Sequence, residues 1–299
     1  MCAFVLAGVV GPRNQSLTLA GQLAKYGGIK TIMLGETLDS LRLDVARRVD
    51  LVHFVYAPVA ERGLSEGKLV ALALIRKPVI FHWIGSDVLN ALEHPTGKFV
   101  ARLCRSHILV KGHLAQTSWL ANELSEAGIQ ATVFPLLPNL DFEIPPFPER
   151  ASVLAYLPDS RYEFYGGKIV ERLASESPSV NFVGIASSRR SWLPNLQYLP
   201  WQSSLGDVWR DISILLRVTK HDGLPWMVLE ALAKGRQVIF SYSFPFCLKA
   251  NSLDEARSML SELLVRHKPN LEGATFVKRH FDPRVQIERL IGIYKRAIA

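Results

Sequence analysis

The sequence predicts an α/β protein built from two doubly wound parallel sheets, one in each half of the chain. Three observations predict it. Short apolar runs alternate with helical patterns from residue 3 to residue 134, and such alternation belongs to parallel sheets with helices on both faces. The alternation stops at Pro135-Leu-Leu-Pro-Asn-Leu-Asp-Phe-Glu-Ile-Pro-Pro-Phe-Pro148, where five prolines in fourteen residues deny regular structure. It then restarts at Val153. A length of 299 residues has room for two domains of about 150 residues each, or one large one.

In the first half, strands are expected at Ala3–Val9, Thr31–Leu34, Leu51–Tyr56, Val79–Trp83, His107–Val110 and Ala131–Phe134, each a short apolar run. Helices are expected at Ser16–Tyr26, Ser40–Val49, Ser65–Ile75, Gly97–Arg105 and Ser118–Ala127. In the second half, strands at Val153–Leu157, Asn181–Val183, Gln197–Leu199, Ile212–Val218 and Val238–Ser241 enclose helices at Phe164–Ser175, Leu205–Arg210, Pro225–Lys234 and Leu253–Leu264. Asp282-Pro283 caps a last amphipathic helix. The expected division is a first domain at 1–137, a Pro-rich linker at 138–150, a second domain at 151–281 and the final helix at 282–299.

Composition narrows the function. Apolar residues make up 48% of the chain, enough for a sizeable core, and no apolar run approaches the ~20 residues of a membrane span. The apolar start lacks a basic region and reads as a first strand rather than a signal peptide. Cys2, Cys104 and Cys247 are too widely spaced for a disulfide framework or a zinc site, and fit free thiols in a reducing cytoplasm. The net charge of +8 suits anionic ligands and permits peripheral contact with anionic lipid. Lys98, Arg102, Arg105, His107, Lys111 and His113 concentrate positive charge, but no nucleic-acid motif accompanies them, so no nucleic-acid partner is expected.

The chemistry concentrates in Arg217-Val-Thr-Lys-His-Asp222-Gly-Leu-Pro-Trp-Met-Val-Leu-Glu230-Ala-Leu-Ala-Lys-Gly235. From Trp226 to Ala233 every side chain is apolar except Glu230. A helix apolar all round is a buried helix, and a buried carboxylate needs a partner. That partner is either a neighbouring Arg or backbone group, or a bound ligand. The segment reads as strand, loop, helix, strand, with Pro225 at the helix start and Gly235 at its stop. Open α/β sheets bind ligands at the carboxyl ends of their strands, and a helix start there suits a phosphate. Glu230, further along the helix, can accept both hydroxyls of a ribose, so the pattern reads as a nucleotide-sugar site.

Asp222-Gly-Leu-Pro-Trp-Met-Val-Leu-Glu230-Ala-Leu-Ala-Lys-Gly resembles the E-x7-E segment of retaining GT-B glycosyltransferases, the group called glycosyltransferase family 4, with Asp in place of the first Glu. The resemblance implies a GT-B fold whose C-terminal helix crosses back to the first domain. It implies that Glu230 binds the nucleotide ribose and that Asp222, Gly223 and Leu224 face the donor sugar and diphosphate. His82, in Lys77-Pro-Val-Ile-Phe-His82-Trp-Ile-Gly-Ser-Asp87, resembles the family's strand-end His at the reacting centre, with two extra residues before the Gly. His82 and Asp222 are therefore the candidate catalytic residues, with Asp87 in support. A core histidine is the alternative for His82, and His53 is a competing candidate. Gly11 and Asn14 follow the first strand, where the family's loop touches acceptor and diphosphate; an ordinary strand-to-helix turn fits as well.

The diphosphate needs cations, and neither an Asp-x-Asp nor paired histidines offer a metal site. The family's Arg and Lys-Gly after the first strand of the second domain are matched only approximately, by Arg161 and Lys168. Arg217, inside an apolar strand, is a substitute whose fork suits a diphosphate. The resulting expectation is a metal-independent, retaining transferase that moves a sugar from an NDP-sugar to a glycan or lipid-linked acceptor. It needs no cofactor besides that co-substrate and works in the cytoplasm or at the inner face of the membrane. Sugar-nucleotide epimerisation, inverting transfer and a silent binding scaffold are the alternatives.

Overall fold

The computed structural model describes residues 5–37, 40–57, 66–93 and 110–299. The chain divides into two compact units. One comprises Met1–Asn139, Asp222–Leu224 and Phe281–Ala299, and the other Leu140–His221 and Pro225–His280.

The first unit holds a six-stranded sheet of β1 (Leu6–Val10), β2 (Lys30–Gly35), β3 (Leu51–Val55), β4 (Val79–Trp83), β5 (Val110–Ala115) and β6 (Thr132–Val133), in spatial order β2-β1-β3-β4-β5-β6. Every pairing is parallel. The central strands β3 and β4 are buried along their whole length, which is why they read as apolar runs, each interrupted by one histidine. Helices α1 (Arg13–Gly27), α2 (Leu43–Ala46), α3 (Glu66–Leu74), α4 (Ser86–Glu93) and α5 (Ser118–Glu126) connect them. The expected helix over 40–49 is only one turn long. The expected helix over 97–105 lies outside the described residues, as do Lys98, Arg102, Arg105 and His107 of the basic concentration. His113 of that group is not a surface charge: it is 6% exposed and its Nδ1 accepts the indole N–H of Trp83 at 3.1 Å.

The second unit repeats the plan. Its strands are β7 (Ser152–Tyr156), β8 (Asn181–Ile185), β9 (Leu196–Leu199), β10 (Ile214–Arg217), β11 (Gln237–Phe240) and β12 (Leu248–Lys249), in the order β12-β11-β10-β7-β8-β9. These pairings are also parallel. The connecting helices are α6 (Gly167–Glu176), α7 (Trp226–Ala233), α8 (Leu253–Arg266) and α9 (Leu271–His280). The segment 205–210, expected as an α-helix, holds a 3-10 turn at Val208–Arg210. Helix α9 was not expected. Its buried face is Gly273, Ala274 and Val277, small residues that carry little hydrophobic signal but let it pack closely on α7.

The last helix, α10 (Pro283–Ile298), belongs to the first unit. It packs beside α1, where a Cβ on Gly27 would lie 2.9 Å from Ile291 Cδ1. Its Tyr294 is fully buried, with the hydroxyl 2.6 Å from His53 Nδ1.

The Pro-rich segment has no regular structure, yet from Leu140 onward it is tied to the second unit. Lys234 Nζ reaches Asp141 Oδ2 at 2.5 Å and the Glu143 carbonyl at 2.8 Å. The buried guanidinium of Arg236 donates to the carbonyls of Pro145, Pro146 and Trp209 at 3.3, 3.1 and 3.0 Å. A segment without regular structure leaves its carbonyls short of backbone donors, and these two cations supply them, Lys234 to Glu143 and Arg236 to Pro145 and Pro146.

Candidate functional site

A group of polar and aromatic side chains in the second unit lies at the carboxyl ends of β7 and β10. Arg217 ends β10, a central strand, and is only 7% exposed. A cation tolerates that position because its guanidinium lies over two tyrosine rings, 5.0 Å from the centroid of Tyr156 and 4.8 Å from that of Tyr165. Arg161 approaches the same Tyr165 at 5.8 Å and lies over Phe164 at 3.9 Å. The loop carrying them is fixed to β10. A Cβ on Gly166, whose φ is +77°, would fall 2.3 Å from the Val218 carbonyl oxygen, and Lys220 N–H donates to the Phe164 carbonyl at 3.0 Å. The structure thus gathers two of the three expected cations around one tyrosine. The third, Lys168, is turned to Glu163 at 2.6 Å on the surface.

Glu230 is half-buried on α7. Burial pushes its carboxyl above the ordinary carboxylate range, and a hydrogen bond from the Trp209 side chain pulls it part of the way back. Trp209 is the protein side chain that favours its ionised form. An ionised carboxylate has about four lone-pair sites, and one indole N–H fills one of them. Capacity for two hydroxyl donors remains.

Asp222, Gly223 and Leu224 group with the first unit. The Asp222 carbonyl accepts the Trp119 indole N–H at 2.9 Å, and its carboxylate accepts the Gly223 N–H at 3.1 Å. The Gln116 amide brackets Leu224, donating to its carbonyl at 2.9 Å and accepting its N–H at 3.4 Å. A Cβ on Gly223 would lie 2.2 Å from the Ile84 carbonyl oxygen, so backbone packing requires glycine there. The amides of Gly223 and Leu224, expected to face a diphosphate, are spent inside the protein.

The other first-unit candidates have structural tasks in this arrangement. His82 is fully buried on β4; its Nε2 is 2.8 Å from the Phe134 carbonyl and its ring stacks on His53 at 5.4 Å. Its own carbonyl accepts the Tyr56 N–H at 3.0 Å. Burial lowers its pKa to about 4, so the ring is neutral at pH 7. The placement is that of a buried histidine, the alternative that the sequence left open, with its Nδ1 buried and unpartnered. Asp87 is also fully buried; it accepts the N–H groups of Ala57 at 2.9 Å, Gly85 at 2.8 Å and Ile84 and Val88 at 3.1 Å, which holds the β4–α4 loop. Burial pushes its carboxyl up to about 6 while those amides pull the other way. Gly11 has φ +143° and would place a Cβ 1.9 Å from the Val55 carbonyl oxygen, so close strand packing explains it. Asn14 is exposed in the first turn of α1, whose start has no side-chain cap.

Two six-stranded parallel sheets with flanking helices make this a GT-B fold. No family model matches the sequence, and no curated protein is significantly similar to it. Solved structures are similar. A sucrose-phosphate synthase from Thermosynechococcus elongatus superposes over 97% of this chain and 98% of its own, with a TM-score of 0.72 at 11% identity. A glycosyltransferase from Rickettsia africae ESF-5 matches 98% of each chain, with a TM-score of 0.70 at 13% identity. A mutant TarM of S. aureus, in complex with fondaparinux, alpha-GlcNAc-glycerol and UDP, matches 84% of this chain with a TM-score of 0.61 at 9% identity; this chain spans 58% of that one. Identities this low establish the fold alone.

Sequence reasoning missed Tyr156, Tyr165 and Trp209. An aromatic residue at a strand end reads as core, and nothing local marks Tyr156 and Tyr165 as holding guanidiniums. Trp209 lies 21 positions before Glu230, on the far side of β10.

Proposed function

We propose that this chain is a glycosyltransferase that takes its donor, a nucleoside diphosphate sugar, on the second unit. The observation that carries the reading is the pair of guanidiniums, Arg161 and Arg217, held against Tyr165 at the carboxyl edge of a parallel sheet, with Glu230 on the helix that follows β10. Guanidinium forks match phosphate oxygens, and a half-buried carboxylate with spare acceptor capacity matches a ribose diol. Charge on the departing diphosphate would be met by Arg161 and Arg217, a metal-independent arrangement. The solved structures of the same fold support the reading, since they include a glycosyltransferase and a protein crystallised with UDP. Retention at the anomeric carbon, a glycan or lipid-linked acceptor, and work in the cytoplasm at the inner face of the membrane complete the proposal. The net charge of +8 supports the last of these.

One observation favours a second reading, a scaffold that binds nucleotide sugars without transferring them. The His82 ring is fully buried, and hydrogen bonds within the first unit occupy the Gly223 and Leu224 amides. Incubation with an NDP-sugar panel and a mixed glycan acceptor pool separates the two. Transfer releases NDP and a product whose anomeric configuration NMR reads. Binding with no NDP release favours the scaffold, and an isomerised NDP-sugar favours an epimerase. Failure to bind any NDP-sugar contradicts the nucleotide-sugar site.

A further inference from the structure

Past the carboxyl end of β9 the chain continues Leu199-Pro-Trp201-Gln202. Trp201 is 61% exposed, a large apolar ring left in water at the ligand-binding edge of the sheet. It meets Tyr156 edge to face, with ring centroids 6.5 Å apart and planes at 81°. Tyr156 meets Tyr165 in the same way, at 5.1 Å and 83°. Arg217 lies over both tyrosines. The order across the site is therefore indole, tyrosine, guanidinium. The residues come from the ends of β7, β9 and β10 and from the turn before α6, so only the folded sheet assembles them. The next side chain folds back on the turn: Gln202 Nε2 donates to the Pro200 carbonyl at 2.9 Å.

We propose that Trp201, backed by Tyr156, is a stacking platform for the nucleobase of the donor, and that it selects bases by ring size, favouring purine nucleoside diphosphates. The proposal rests on the nucleotide-sugar reading of the same unit. An indole face recognises any π ring and gains more from a larger one. With the base on Trp201, the ribose passes Tyr156 and the diphosphate reaches Arg217.

The test compares the wild-type protein, Trp201→Ala and Trp201→Phe for binding of GDP, ADP, UDP and inorganic pyrophosphate by calorimetry. Trp201 is exposed, so truncation leaves folding intact, and circular dichroism checks that. Wild type should bind GDP and ADP more tightly than UDP. Trp201→Ala should weaken GDP and ADP by about 5- to 150-fold, the measured range for one base on one aromatic ring. It should weaken UDP less and leave pyrophosphate unchanged, and Trp201→Phe should recover most of the loss. Nucleotide binding that is equal in wild type and Trp201→Ala overturns the platform, and tighter binding of UDP than of GDP or ADP overturns the size rule. If wild type binds none of the nucleotides, the nucleotide-sugar reading itself falls, a different result from either.

Discussion

Acidification should destabilise the first unit through His82, and the size of the effect follows from its burial. The ring is wholly enclosed, and its pKa falls from the ordinary 6.5 to about 4. The unfolded chain therefore holds a proton between those values that the folded chain does not. Stability is fully present above the unfolded pKa and is lost as pH falls toward the folded one. Between about pH 7.5 and pH 4.5 this single residue should remove about 2.5 kcal/mol. His53, also fully buried and held well below its ordinary value by burial and by the neighbouring His82, acts in the same direction. Urea unfolding across that range, on wild type and on His82→Gln, isolates the His82 share, because a glutamine amide can still donate to the Phe134 carbonyl. The wild-type curve should fall more steeply with acid by about that amount. Equal slopes would mean that His82 titrates normally, as a solvent-facing residue would, and would refute its placement as a core histidine.

Three further outcomes follow from the packing. Arg236→Met should cost about 1–3 kcal/mol in chemical denaturation, because the buried Trp209 carbonyl and the part-buried Pro145 and Pro146 carbonyls lose their donor; a loss below about 0.5 kcal/mol would show that the Pro-rich segment does not depend on it. Gly223→Ala should lower stability by about 1–3 kcal/mol, since a Cβ 2.2 Å from the Ile84 oxygen forces the backbone apart; an unchanged melting temperature would contradict that close approach. Arg217→Met should weaken pyrophosphate binding at least tenfold by calorimetry while Lys168→Met leaves it unchanged, because Lys168 faces Glu163. Equal losses would return Lys168 to the phosphate site.

Much of the fold was legible because buried parallel strands such as Val79–Trp83 and Ile214–Arg217 are apolar runs with a single polar residue each. Their spacing leaves room only for crossover helices. Strand β5 is expected at 107–110, of which 107–109 lie outside the described residues, and it continues to Ala115. Lys111-Gly-His113 breaks its apolar pattern, yet β4 and β6 flank it on both sides. Arg217 and Glu230 were legible as charges where charges are expensive. Arg236 was not, because Lys-Gly-Arg after a helix stop reads as surface, and only the folded Pro-rich segment shows what it binds. His82 shows the opposite limit. A strand-end histidine followed by Gly-Ser-Asp reads alike whether it faces a ligand or the core, and the side it faces is decided by tertiary packing on Phe134 and His53.

The central claim, that the second unit holds a nucleoside diphosphate sugar with Glu230 on its ribose, is tested most directly by ligand-observed NMR. Wild type and Glu230→Ala are each mixed with a panel of NDP-sugars. Saturation transfer to the ribose and base protons is expected in wild type and its loss in Glu230→Ala, with the variant still folded. Equal transfer in both proteins, or none in either, would contradict it.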